Sequence, residues 1–176
     1  QTKRCGDILK QISQKKIIKN KFINAVKIED LLTEILRSFM ETSEKKIQLN
    51  SKNDKNRIDI NRSPEIIYGL RNFIGNAVKF SSKKVEVELV SNKNNIFIKI
   101  NDDGPGFPED LINVLGEPYI KSRSKKLKGK SGLGLGTFLG KTLLERQGAE
   151  IIFFNRENNN GASVKITWDA KSLHSS

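Results

Sequence analysis

Three groups of residues in this chain have the types and spacings to do chemistry. The first is Asp102-Asp103-Gly104-Pro105-Gly106-Phe107, a carboxylate just ahead of two glycines. Glycine and proline turn the backbone sharply and leave it bare, so a flat ligand could approach closely while the carboxylate accepts a hydrogen bond from an exocyclic amine. An ordinary tight turn uses the same residues. In the second group, Asn72, Asn76 and Lys79 recur at intervals of four and three, which on a helix points all three side chains the same way. Amide oxygens suit a hard cation such as magnesium, and the ammonium can meet a phosphate as a point charge; a solvated polar face has the same spacing. The third is Gly132-Leu133-Gly134-Leu135-Gly136, directly before Phe138, Leu139, Leu143 and Leu144. Glycines opening a helix form an anion site, because bare N–H groups and the positive helix end converge on one spot. The motif does not follow the first strand, as a Rossmann fingerprint must, and no Gly-Lys-Ser/Thr stands where a Walker A loop requires it.

The elements around these groups are legible from periodicity. Asn95-Ile96-Phe97-Ile98-Lys99-Ile100 alternates as a half-buried strand that delivers Asp102 into its loop, and Val85, Val87 and Leu89 alternate in a strand before it, with a turn over 92–95. Ser63-Pro64-Glu65 opens a helix with serine as cap and proline at the first position. Its buried face is Ile66, Ile67, Leu70, Phe73, Ile74 and Ala77, beside the Asn72/Asn76/Lys79 stripe. A helix over 1–20 carries Cys5, Ile8, Leu9 and Ile12. Its opening has no capping signal, which suggests a segment cut from a longer protein. Residues 24–28 read as a linker or short extended piece. A second helix follows, with Leu31, Leu32, Ile35, Leu36, Phe39 and Met40 as its apolar stripe and Glu29 and Asp30 in its first turn. Residues 47–49 and 57–60 read as a hairpin-like pair of strands joined by the polar run 50–56. Pro108-Glu109-Asp110 and the apolar residues after it suggest a short helix. Residues 116–131 lose all periodicity and are a solvated loop or a mobile lid whose cations screen phosphate charge. Residues 151–154 and 163–168 close the chain as a hairpin. The sum is an α/β two-layer sandwich, a mixed sheet covered by about three helices.

Composition limits the function classes. With 176 residues, 36% hydrophobic and 30% charged, the chain fits one globular domain with a short appendage. No apolar run reaches the ~18 residues of a membrane helix, and no signal-peptide pattern opens the chain. The single cysteine, Cys5, excludes an internal disulfide and fits a reducing compartment. A net charge of +12 raises nucleic acid or an anionic membrane as partners, but the lysines are scattered among asparagines and isoleucines. The densest basic run, from Lys121 and Arg123 to Lys130, holds no aromatic residue on which bases could stack.

Together, Asn72-Phe73-Ile74-Gly75-Asn76-Ala77-Val78-Lys79, Asp102-Asp103-Gly104-Pro105-Gly106, Glu117-Pro118-Tyr119 and Gly132-Leu133-Gly134-Leu135-Gly136 resemble the N, G1, F and G2 boxes of the GHKL ATPases. Their order and separation are similar to the catalytic domain of bacterial sensor histidine kinases. The resemblance covers about residues 28–168. Asparagine at position 72, where gyrase, the Hsp90 chaperone and MutL carry a catalytic glutamate, favours a kinase over a water-activating ATPase. Gly116-Glu117-Pro118-Tyr119 and the segment 140–149 further resemble the RegB/PrrB redox-responsive subfamily.

The resemblance implies a Bergerat-type ATP-binding fold over residues 25–170, preceded by the end of a dimerisation helix and linker over 1–24 and followed by a tail over 171–176. It implies ATP and magnesium as ligands. Asp102 would bind the adenine amine in a pocket shaped by Gly104 and Gly106. Asn76 would hold magnesium, Lys79 would contact phosphate, and Asn72 would organise that end. Gly132, Leu133, Gly134, Leu135 and Gly136 would cradle phosphates and Tyr119 would lie in the nucleotide site, with Lys121 or Arg123 as transition-state cations. Thr137 departs from the usual leucine, a change expected to be tolerated. The implied partners are a histidine-bearing dimerisation helix absent from this chain, a homodimeric mate in the intact protein and a response regulator, with no direct nucleic acid. The domain would be cytoplasmic, joined to an inner-membrane sensor only through a missing region, and would not autophosphorylate alone. His174, the one histidine, lies in the polar tail without helical context or a following acidic residue and reads as a tail residue rather than the acceptor. Cys5 is either a small apolar packing residue or, by the subfamily resemblance, a redox-sensing thiol. The alternative reading is a degenerate nucleotide-binding regulatory module that acts by binding without phosphotransfer.

Overall fold

A computed structural model describes residues 2–15, 25–55, 58–116, 133–157 and 160–174. Among them, five strands form one sheet in the order β2 (Lys46–Asn53), β4 (Lys84–Ser91), β5 (Asn95–Asp102), β7 (Ala162–Asp169), β6 (Ala149–Asn155). β2 runs parallel to β4, and the other pairings are antiparallel. A separate two-stranded ribbon joins β1 (Ala25–Lys27) to β3 (Asp59–Asn61). The helices are α1 (Thr2–Lys15), α2 (Ile28–Met40), α3 (Pro64–Phe80), α4 (Leu133–Arg146) and the short α5 (Ala170–His174).

Alternation sets the two faces of the sheet. Val85, Val87, Leu89, Ile96, Ile98, Ile100, Ile166 and Trp168 are all buried and pack in one core with Leu31, Leu32, Leu36, Ile66, Leu70, Phe73 and Ile74 of α2 and α3 and Leu144 of α4. This matches the expected two-layer sandwich with a mixed sheet. The predicted start of α3 also stands, since Ser63 Oγ accepts the Ile66 N–H at 3.2 Å and Pro64 occupies the first turn. At the other end of α3, the Lys45 ammonium donates to the carbonyls of Val78 and Ser81, which an interior turn would have satisfied itself. Small residues bring α3 and α4 together. A Cβ at Gly69 would lie 2.5 Å from Leu144 Cγ, and one at Gly140 would lie 3.2 Å from the Asn72 Cβ.

Four expectations need correction. The strands at 47–49 and 57–60 are not a hairpin: β2 pairs with β4, whereas β3 pairs with β1. Alternation specifies a strand but not its partner. Residues 50–53 of the expected hairpin loop continue β2 instead, and Glu29 of α2 accepts hydrogen bonds from Ser51 Oγ and Asn53 Nδ2 at 2.6 Å each. Met40, assigned to the apolar stripe of α2, is 45% exposed at the last turn. The short helix after Pro108 is only one 3-10 turn, Ile112–Val114. Finally, His174 does have helical context, since it ends α5, whose Leu173 packs against the core and whose Lys171 N–H is accepted by Asp169 Oδ1 at 3.0 Å.

Candidate functional site

The loop at the end of β5 is fixed by its first two residues, which do opposite things. Asp102 is 5% exposed, and its Oδ1 accepts the N–H of Gly104 at 2.8 Å and that of Ala162 on β7 at 3.3 Å. Burial holds its carboxyl above the ordinary carboxylate range, against the pull of those two donors. Its other oxygen has no hydrogen-bond partner among the described residues, and the residue lines a pocket. Asp103 turns the other way and accepts the N–H groups of Ser82, Lys83 and Lys84 at 2.8 to 3.1 Å. What burial it has pushes its carboxyl up, but the three donors outweigh this and keep it below the ordinary value. One carboxylate therefore closes the end of the sheet, and the other is presented to the pocket.

Glycine is required here by contact. A Cβ at Gly104 would lie 2.2 Å from the carbonyl oxygen of Phe80 at the end of α3, and one at Gly161, whose φ is +109°, would lie 1.7 Å from the Asp102 carbonyl oxygen. Three segments thus cross at backbone distance around Asp102, leaving its carboxylate at the floor of a pocket with mostly apolar walls. Those walls include Ala77, Ile100, Val164 and the four aromatic rings of Phe73, Phe80, Phe107 and Phe153. Phe107 meets Phe153 edge to face with centroids 5.9 Å apart, and Phe153 meets Phe73 likewise at 5.7 Å. An acceptor at the base of an apolar, aromatic-lined slot suits a flat heterocycle bearing an amine.

The helical groups form the other end. Asn76 lines the pocket, and its Nδ2 donates to Thr137 Oγ1 of α4 at 3.3 Å, which leaves its Oδ1 as the available ligand atom. Asn72 Nδ2 donates to the Tyr68 carbonyl at 2.8 Å. A Cβ at Gly136 would lie 3.3 Å from Asn72 Oδ1 and 3.9 Å from Asn76 Oδ1, so bare backbone at the start of α4 opens a cradle beside two amide oxygens. Oxygen donors of this kind fit a hard divalent cation, and a helix N-terminus fits phosphate. Lys79 is exposed at the last turn of α3 with its ammonium 5.5 Å above the Phe80 ring, and it is not a wall of the pocket.

Sequence spacing therefore brings Asp102, Gly104, Gly106, Asn72, Asn76 and Gly136 to one side of the molecule. Leu133, Gly134 and Leu135 enter as the first turn of α4. Tyr119, Lys121, Arg123 and Gly132 lie outside the described residues. Cys5 is half-buried on α1, packed with Ile8 and Leu9 against Leu139 and Leu143 of α4. Two residues with a part in the pocket were not predicted. Thr137 was read as a neutral departure, yet it is 2% exposed and holds the Asn76 amide. Asn155, at the end of β6, grips the Phe107 backbone through both atoms of its amide. The signal for it was present, since alternation puts it on the same face as Phe153.

The sequence model of the family described as histidine kinase-, DNA gyrase B-, and HSP90-like ATPase matches residues 61–172. The sensor histidine kinase RegB of Cereibacter sphaeroides is 38% identical over 135 residues, which cover 68% of this chain and 29% of that protein, so the chain spans less than a third of this relative's length. The mycobacterial sensor histidine kinase MprB superposes with a TM-score of 0.67 at 18% identity, over 83% of this chain and 97% of that one. The catalytic domain of histidine kinase ThkA gives 0.66 at 21% identity, over 81% and 94%.

Proposed function

Because this chain belongs to the histidine kinase-, DNA gyrase B- and HSP90-like ATPase family and is a histidine kinase catalytic domain, we propose that it binds ATP in the Asp102 pocket and passes the γ-phosphoryl group to a histidine on a dimerisation helix. The observation that carries the reading is the buried Asp102 carboxylate, tied through one oxygen by two backbone N–H groups, with its other oxygen unbonded among the described residues, in the lining of an aromatic-walled slot. That oxygen accepts the exocyclic amine of adenine, and the walls of Phe107, Phe153 and Ala77 exclude water from the base. Asn76 Oδ1 and Asn72 Oδ1 suit a magnesium ion, which when bound would neutralise charge on the phosphates. Lys79, Lys121 and Arg123 supply further positive charge, and the backbone from Gly132 to Gly136 cradles the phosphate chain. Phosphoryl transfer needs positioning and charge neutralisation above all, and this division of labour provides both.

In this reading residues 1–24 are the end of a dimerisation helix with its linker, 25–170 the catalytic domain and 171–176 a tail. The intact protein is a homodimeric sensor kinase whose catalytic domain lies in the cytoplasm and whose phosphohistidine serves a response regulator. No described helix is long and apolar enough to cross a membrane. The likeness to RegB extends the reading to redox control through Cys5, which is testable by comparing the oxidised and reduced protein with Cys5→Ser.

The decisive measurement is binding of a fluorescent ATP analogue, with and without magnesium, to the chain and to Asp102→Asn. Saturable binding that falls roughly 30-fold in the variant is expected from the loss of one charge-assisted hydrogen bond. No binding by the unaltered chain would overturn the assignment. Supplying the histidine-bearing helix in trans then tests transfer, read as a radiolabelled, acid-labile phosphohistidine.

A further inference from the structure

The loop that carries Asp102 is gripped at both ends by a single rung of the hairpin behind it. Asn155 of β6 and Ala162 of β7 are register partners in that hairpin. The Ala162 N–H donates to Asp102 Oδ1 at 3.3 Å, at the start of the loop. Five residues on, Asn155 holds the other end with both atoms of its amide: Oδ1 accepts the Phe107 N–H at 2.6 Å, and Nδ2 donates to the Phe107 carbonyl at 2.8 Å. The fit is close, because Gly106 has a φ of +79° and a Cβ there would lie 2.8 Å from Asn155 Oδ1. Phe153, two residues earlier on the same face, meets the Phe107 ring edge to face. β6 therefore fixes Phe107 twice, its backbone through Asn155 and its ring through Phe153. Both rings are walls of the pocket whose floor is Asp102.

We propose that Asn155 is a positioning residue for base recognition: it holds the Gly106–Phe107 backbone so that the aromatic wall and the Asp102 acceptor stay at the spacing of one flat base. A side-chain amide that pairs with both the N–H and the C=O of one residue occupies the place of a strand neighbour. Phe107 is thereby fixed as if it lay in the sheet, while the backbone before it remains a turn. The proposal rests on the nucleotide reading given above, and its test separates the two.

The full chain is compared with Asn155→Ala and Asn155→Ser for binding of fluorescent ATP and GTP analogues, with and without magnesium, and for thermal unfolding without nucleotide. Loss of the two bonds is expected to raise the Kd for the ATP analogue roughly tenfold. The factor should be the same in the presence and absence of magnesium, and the preference for ATP over GTP should shrink. Failure of the nucleotide reading appears in the unaltered chain, which then binds neither analogue. The present proposal is overturned, with wild-type binding intact, if the variants bind within about twofold of the parent, a loss below what one hydrogen bond explains. It is equally overturned if their loss appears only with magnesium or leaves base preference unchanged. Asn155→Ser serves if Asn155→Ala does not fold; if neither folds, Asn155 belongs to the fold rather than to recognition, and the proposal falls.

Discussion

The two ends of the pocket are held by different means. At the base end every grip involves the main chain: Asp102 sits on the sheet's central strand, N–H groups of Gly104 and Ala162 fix its carboxylate, Gly161 passes against its carbonyl, and the Asn155 amide holds the Phe107 backbone. At the other end it uses side chains on two helices, Asn72 and Asn76 of α3 and Thr137 of α4. Backbone contacts between strands leave almost no freedom, whereas side-chain amides on packed helices can turn about their own bonds. A base has one shape to be read, but a phosphate chain changes its charge and geometry as a group is transferred. Rigid reading and adjustable holding are the arrangement this difference asks for.

The harshest test of the rigid end is Gly161→Ala. The new methyl would have to displace the Asp102 carbonyl, and the residue would be held at a φ that side chains rarely adopt. A stability loss of about 3 kcal/mol is expected, read as a fall in melting temperature of roughly 10 °C, together with loss of nucleotide binding. Gly6→Ala is the control, because a Cβ there would meet nothing within 4 Å. A Gly161→Ala chain that melts and binds like its parent would show that the base end yields as readily as the other.

A second test separates function from stability. Burial raises the Asp102 carboxyl above its ordinary value, so the folded state takes up its proton more readily than the unfolded chain. Ionisation of Asp102 at neutral pH therefore costs stability, and that cost disappears as pH falls through the raised value. Asp102→Asn should bind the ATP analogue roughly 30-fold more weakly and yet melt higher than the parent near neutral pH. The gap in melting temperature should close on acidification. Asp103 has the opposite sign: its lowered pKa contributes stability above the ordinary carboxylate value, and this is lost as pH falls through the lowered one. Asp103→Asn should accordingly melt lower than the parent at neutral pH. Variants whose melting temperatures shift in the same direction would refute the opposed roles of these neighbours.

How much of this could be read in the sequence follows the same division. The helices, the strands and the three chemical groups were legible, because apolar periodicity, the Ser63-Pro64 cap and the glycines are local signals. The partner of β2 was not, because parallel pairing with β4 is decided by an intervening helix and by Glu29 reaching across to Ser51 and Asn53. Asp102 was legible as an acceptor, but the groups that fix it were hidden. Ala162 contributes only a backbone N–H, and Asn155, which holds the far end of the loop at Phe107, shares a strand face with Phe153 but lies 48 residues from the partner that alternation could not name. Thr137 was misjudged for a similar reason. Judged against the usual leucine, it is a loss of apolar volume; in the fold it is the hydroxyl that decides how Asn76 turns.

That hydroxyl gives the smallest and most discriminating test. Thr137 lines the pocket and also holds the Asn76 amide, so it stands between the two ends. Valine has nearly its shape but no acceptor, so Thr137→Val keeps the wall and frees Asn76 to rotate. If the hydroxyl serves the adjustable end, magnesium-dependent binding of the ATP analogue should weaken about fivefold, the worth of one neutral hydrogen bond, with binding in the absence of magnesium unchanged. Asn76→Ala should show the same pattern with a larger factor, since it removes the amide itself. In the double variant, Thr137→Val should add nothing, because a residue that acts through Asn76 has no effect once Asn76 is gone. Equal losses with and without magnesium would place Thr137 with the base end, and the boundary between rigid and adjustable halves would then lie on the far side of α4.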